Sequence, residues 1–135
     1  MKRRKAREYV LQYLFQADFL DKKQRKNGLE QFWSDKKEDP EVAEFATDLI
    51  KGTLARLDEI DPEIEKAAEH WAPDRMAAVD RNILRFAVYE LIFRLDIPSA
   101  VTINEAIEIA KKYSTLESAS FINGILDKIA RKVKK

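Results

Sequence analysis

The sequence predicts an all-α protein, and three features carry the prediction. Apolar residues recur at intervals of three and four through most of its 135 residues. Asp-Pro and Ser/Thr-x-x-Glu signals, which open helices, punctuate those runs. No stretch of useful length alternates apolar with polar residues as a half-buried strand would, and there are no internal repeats.

The densest run, Val79 to Leu95, organises the rest. Ile83, Leu84, Ala87, Val88, Leu91, Ile92 and Leu95 make one broad face, and Phe86, Tyr89 and Phe93 recur on the opposite side. A helix apolar on two sides must be covered on two sides. Asp80, Arg81, Arg85, Glu90 and Arg94 interrupt the run, which is slightly short for a bilayer, so it reads as the central helix of a soluble protein.

The other elements follow in order. Residues 4 to about 20 form a first helix with Ala6, Val10, Tyr13, Leu14, Ala17 and Leu20 as its core stripe. Leu11, Phe15 and Phe19 make a second stripe; core packing is the expectation for the two phenylalanines, and a partner-facing patch the alternative. Lys22 to Gly28 is a polar loop, followed by a short amphipathic segment with Leu29, Phe32 and Trp33. Asp39-Pro40 opens a helix that runs to Asp61, and Asp61-Pro62 opens a shorter one ending at Ala72-Pro73-Asp74. Thr102-Ile103-Asn104-Glu105 and Ser114-Thr115-Leu116-Glu117 have the form of capping boxes for the last two helices. Gly124 costs roughly 1 kcal/mol against alanine inside the last helix, and close approach of another helix would explain it. The length suits one domain, residues 1–135, with subdomains about 1–73 and 74–135.

The net charge of +1 hides a segregation: residues 1–28 carry +6, residues 29–80 carry −9 and residues 81–135 carry +4. The acidic middle reads as a solvated surface, or one that repels a polyanion. Lys2, Arg3, Arg4, Lys5 and Arg7 sit at a helix N-terminus, the positive end of its dipole, where the helix itself does not favour cations. An anionic ligand would explain them; phosphate backbones are the commonest such ligand, and arginine-rich segments often bind RNA. Lys128, Arg131, Lys132, Lys134 and Lys135, by contrast, suit the C-terminal end of the last helix.

No catalytic constellation is legible. There is no cysteine, which removes thiol chemistry and fits a reducing compartment, and the N-terminus lacks the form of a signal peptide, so the expectation is cytoplasmic. The single histidine, His70, reads as a capping or packed residue; a metal site needs more ligands of that kind. The glycines at 28, 52 and 124 are too scattered for a phosphate loop. Neither an enzyme nor a cofactor is expected.

Arg3-Arg4-Lys5-Ala6-Arg7-Glu8, Val79-Asp80-Arg81-Asn82-Ile83-Leu84-Arg85, Tyr89-Glu90-Leu91, Ile97-Pro98, Ile103-Asn104-Glu105-Ala106-Ile107-Glu108-Ile109-Ala110-Lys111 and Phe121-Ile122-Asn123-Gly124-Ile125-Leu126-Asp127 resemble the NusB family of bacterial transcription antitermination factors. The resemblance runs nearly end to end, and over residues 21–60 it holds only in pattern and length. It implies two packed three-helix bundles and an RNA-binding adaptor that pairs with NusE, a small-subunit ribosomal protein. The pair binds single-stranded boxA RNA and, with other Nus factors, keeps RNA polymerase termination-resistant on ribosomal RNA operons. Position by position, it implies RNA-binding roles for Arg3, Arg4, Lys5, Arg7, Tyr113, Glu117 and Phe121, and NusE-facing roles for Phe15 and Asp80. Phe15, Asp80 and Glu117 stand where some members have tyrosine, glutamate and aspartate. Tyr113 and Phe121 bracket a polar loop, where they either stack on unpaired bases or pack between the last two helices. Two other readings stay open: an RNA-binding domain of a ribosomal RNA methyltransferase, and a purely protein-binding helical module. A homodimer through a helix face also stays open.

Overall fold

The computed structural model describes residues 2–21, 23–24 and 28–135. Its described helices are α1 (Lys2–Ala17), α2 (Leu29–Ser34), α3 (Pro40–Ala55), α4 (Leu57–Ala67), α5 (Ala78–Phe93), α6 (Ser99–Tyr113) and α7 (Leu116–Ala130), with a 3₁₀ turn at Pro73–Arg75. No strand occurs among the described residues. Most of the expected polar loop, Lys22 and Arg25 to Asn27, lies outside them.

Helix α5 packs against α1, α3, α4, α6 and α7, as a helix with two apolar sides requires. Ile83, Leu84, Phe86, Ala87, Val88 and Leu91 are all at most 1% exposed. The helix stops at Phe93, so Leu95 falls past its end and is exposed rather than core. Gly52 of α3 lies against Tyr89, and a β-carbon there would overlap the tyrosine ring. The close approach expected of Gly124 occurs at Gly52 instead; Gly124 is exposed, with nothing within 4 Å of a built β-carbon.

The polar residues that interrupt the α5 sequence serve inward. Asp18, just past α1, accepts hydrogen bonds from Arg81 (2.9 Å), Asn82 (2.6 Å) and Arg85 (2.9 Å). Arg85 also makes a two-pronged pair with Asp61 at 2.9 Å on each prong. These bonds tie the end of α1 to α4 and α5, with each buried charge paired. Burial alone would raise the Asp18 pKa, but Asn82 and the two guanidiniums outweigh it and hold the carboxyl below its usual range.

Several local signals resolve differently from the expectation. Asp39 does cap α3, accepting from the Glu41 amide at 2.9 Å. Helix α4 begins at Leu57 rather than Asp61, with Pro62 inside it, and the Asp61 carboxylate accepts from Arg85 rather than capping a helix. Helix α6 starts at Ser99, which places Thr102 within the helix, where its hydroxyl donates to Glu90 at 2.8 Å. The last cap is Thr115, accepting from the Ser118 amide at 2.9 Å. Phe15 (38% exposed) and Phe19 (73%) lie on the surface, ring to ring at 5.7 Å, so the core expected for them is filled by Leu11, Tyr13 and Leu14. His70 is exposed at the end of α4, where its backbone amide donates to the Glu65 carbonyl at 2.8 Å and so caps the helix, while its side chain is not packed in the core.

Candidate nucleic-acid interface

The first turns of α1 place Lys2, Arg3 and Lys5 on the surface and Arg4 half-buried, but turn Arg7 inward. Each meets a partner from a distant part of the chain. Lys2 Nζ lies 2.9 Å from Asp39 and 3.3 Å from Glu41, and Lys5 Nζ lies 2.9 Å from Glu38. Arg4 forks onto Glu105 of α6 at 2.9 and 2.6 Å. The Arg3 guanidinium stands 4.4 Å from the Phe45 ring centroid, a cation–π contact. The acidic middle therefore faces the basic N-terminus, and tertiary pairing compensates for the unfavourable helix end.

The electrostatic consequences follow the pairings. Hydrogen bonding to Asp39 raises the Lys2 pKa, and hydrogen bonding to Glu38 raises that of Lys5. The Tyr9 hydroxyl and then Lys5 hold Glu38 below the usual carboxylate range, and Arg4 does the same to Glu105. Lys2, Lys5 and Arg3 stay solvent-exposed, so these contacts are screened and exchangeable for another anion. Arg7 is different. It is 2% exposed and forks onto Glu90, itself 0% exposed, at 2.7 and 2.8 Å, which leaves it no surface to offer a ligand.

Tyr113 ends α6 with 41% exposure, and its hydroxyl donates to Glu8 of α1 at 2.7 Å, beside Lys112 at 3.1 Å from the same carboxylate. Partial burial and then Glu8 raise the phenol pKa, so it remains a donor. Between these helices runs a groove of about 390 Å³ lined by Glu8, Leu11, Phe15, Val79 and Tyr113, which brings Phe15 and Tyr113 together. Glu117 lies exposed in the first turn of α7, and Phe121 packs edge-on to Trp71 at 5.2 Å. Asp80 does not reach the surface. It is 7% exposed and accepts from Ser114 and Ser118, each at 2.7 Å, which fixes the α6–α7 junction against the first turn of α5.

Sequence reasoning missed the anionic half of this arrangement, Glu38, Asp39, Glu41 and Glu105, because the pairs span roughly 30 to 100 residues. It also missed Ser114 and Ser118 as Asp80 donors; three polar residues framing one loop were the available signal. No group of three His, Cys, Asp or Glu side chains among the described residues is placed to hold a metal ion, and no described helix is long and apolar enough to cross a membrane.

Comparison with known proteins places this arrangement in a family. The chain is 51% identical to the transcription antitermination protein NusB of Thermodesulfovibrio yellowstonii over 97% of this chain and 93% of that one. The structure of T. maritima NusB superposes with a TM-score of 0.84 at 43% identity, covering 98% and 93% of the two chains. A structure of antitermination factors NusB and NusE in complex with dsRNA matches with a TM-score of 0.85 at 26% identity over 97% of each chain. The NusB family model matches residues 4–131, and the chain belongs to that family.

Proposed function

We propose that the chain is a transcription antitermination factor that works without catalysis, as an adaptor pairing with NusE and binding boxA RNA on ribosomal RNA operons. The observation that carries this reading is the end-to-end match to a NusB whose structure holds NusE and RNA. In this reading it acts in the cytoplasm within a larger assembly of Nus factors and RNA polymerase. Residues 1–73 and 74–135 act as two halves of one body.

Lys2, Arg3, Arg4 and Lys5 exchange their intramolecular partners for RNA phosphates, which releases counterions from the RNA. Arg7 sets the helix that carries them. Tyr113 and Phe121 offer ring faces to unpaired bases beside Glu117. The groove containing Phe15 faces NusE, and Asp80 supports it by holding the α6–α7 junction.

The test is boxA affinity with and without NusE at several salt concentrations. The adaptor mechanism requires weak binding alone and tighter binding in the pair. Equal affinities would sink it.

A further inference from the structure

Three features mark the corner after α4 and the face of α7 beside it. Gly124 weakens the middle of α7 with no packing reason, since a β-carbon there would meet nothing within 4 Å. Glu69 and His70 hold φ values of 56° and 72°, the left-handed turn in which their amides close the end of α4 on the Lys66 and Glu65 carbonyls at 3.3 and 2.8 Å. Trp71 follows them and leaves 47% of its surface in solvent.

The fold brings the three together. Phe121, Gly124 and Lys128 form a stripe along one side of α7, spaced three and four apart. The stripe touches the corner after α4 at both ends. Phe121 meets the Trp71 ring at 5.2 Å and 62°, and Lys128 Nζ donates to the Ala67 carbonyl at 3.2 Å. Lys128 also lies 3.7 Å from the Glu69 carboxylate, a loose pair that another anion can replace. Between these contacts Gly124 contributes no side chain. The result is a notch with an aromatic pair at one end, an ammonium at the other and a bare floor.

We propose that this notch holds one nucleotide of the bound RNA, with an unpaired base stacked on Trp71 beside Phe121 and its phosphate on Lys128. The proposal rests on the RNA-binding reading above and adds a residue to it. It continues the line that runs from Tyr113 through Glu117 to Phe121. Glu69, His70, Asp74, Glu117 and Ser120, near the two rings in sequence, are all exposed and polar, and a single stacked base needs only the ring.

The chain has two tryptophans, and Trp33 is partly buried with its Nε1 bonded to Thr47 at 2.9 Å. Trp33→Phe therefore leaves Trp71 as the reporter. End-labelled boxA RNA is titrated against that variant, with anisotropy and tryptophan emission followed in parallel. The expected result is quenching that saturates together with the anisotropy. Trp71→Ala weakens binding about tenfold and leaves the salt slope unchanged, because stacking releases no counterions. Lys128→Gln lowers that slope by about 0.7. Gly124→Leu raises thermal stability yet weakens binding, a combination that misfolding cannot produce. Saturating anisotropy with constant Trp71 emission overturns the proposal and spares the RNA reading. Emission that answers to NusE without RNA overturns it in favour of a protein contact. No anisotropy change, with or without NusE, refutes the RNA reading and the notch with it.

Discussion

Arg7→Met separates the two jobs that a basic N-terminal residue can have. Methionine keeps an unbranched apolar stem and removes the guanidinium. Glu90, 0% exposed, then keeps among the described residues the Thr102 hydroxyl at 2.8 Å as its side-chain donor. Breaking a buried pair from one side costs about 3–5 kcal/mol, because an uncompensated charge stays inside. An unfolding entropy of about 2.1 cal/mol/K per residue gives about 0.3 kcal/mol/K for a chain of this length, so the melting midpoint should fall by about 10–18 °C. Arg7→Met/Glu90→Leu should regain most of that loss, since apolar residues replace a buried pair at little or no cost. Urea and thermal unfolding followed by circular dichroism measure both variants. RNA binding by the folded single variant should keep the parent's salt dependence. A loss under about 1 kcal/mol together with a flatter salt slope would refute the structural assignment and return Arg7 to the RNA surface.

Other outcomes follow from the same geometry. Glu38→Gln/Asp39→Asn/Glu41→Gln, in which the introduced asparagine still caps α3, should tighten boxA binding with no loss of salt slope, because Lys2 and Lys5 already meet phosphates in the parent complex and lose only competing carboxylates; filter binding at graded salt reads both. Gly52→Ala should destabilise by about 1–3 kcal/mol through overlap with Tyr89, whereas Gly124→Ala should stabilise by about 1 kcal/mol, and urea midpoints distinguish the two glycines. Asp80→Ala leaves the Ser114 and Ser118 hydroxyls without their acceptor and should cost about 1–3 kcal/mol; hydrogen exchange should show the loss concentrated at the α6–α7 junction. Arg94, bonded in a fork, holds Asp96 down from 3.8 to about 2. A folded pKa below the unfolded one gives stability that is present above 3.8 and lost as pH falls toward 2. Arg94→Gln should flatten that part of the stability–pH curve.

The helices were legible where periodicity and local chemistry agreed. Val79 to Leu95 announced a two-sided helix, and Asp39-Pro40 marked a real cap, because both signals act within a few residues. Asp61-Pro62 and Thr102 to Glu105 misled for a shared reason. Their polar groups have tertiary partners, Arg85 for Asp61, Glu90 for Thr102 and Arg4 for Glu105, and those partners lie 12 to 101 residues away. The basic cluster was legible as an electrostatic anomaly, but its compensation was not, since a charge count does not say which segments meet. Phe15 and Phe19 had core-like spacing, yet α1 already fills its buried face with smaller residues and Tyr13. Trp71 continues the helical spacing of Ile64, Ala67 and Ala68, yet α4 ends at Ala67, and only the fold sets Trp71 exposed beside Phe121.

The central claim is that the surface cations of α1 trade carboxylates and an aromatic face for RNA phosphates. The slope of log affinity against log salt, measured for boxA RNA bound to the chain with NusE, tests it most directly when the parent is compared with Lys2→Gln/Arg3→Gln/Arg4→Gln/Lys5→Gln. The account predicts a variant that stays folded and a slope flatter by up to about 2.8 for four single-strand phosphate contacts. A variant with the parent's slope would contradict it.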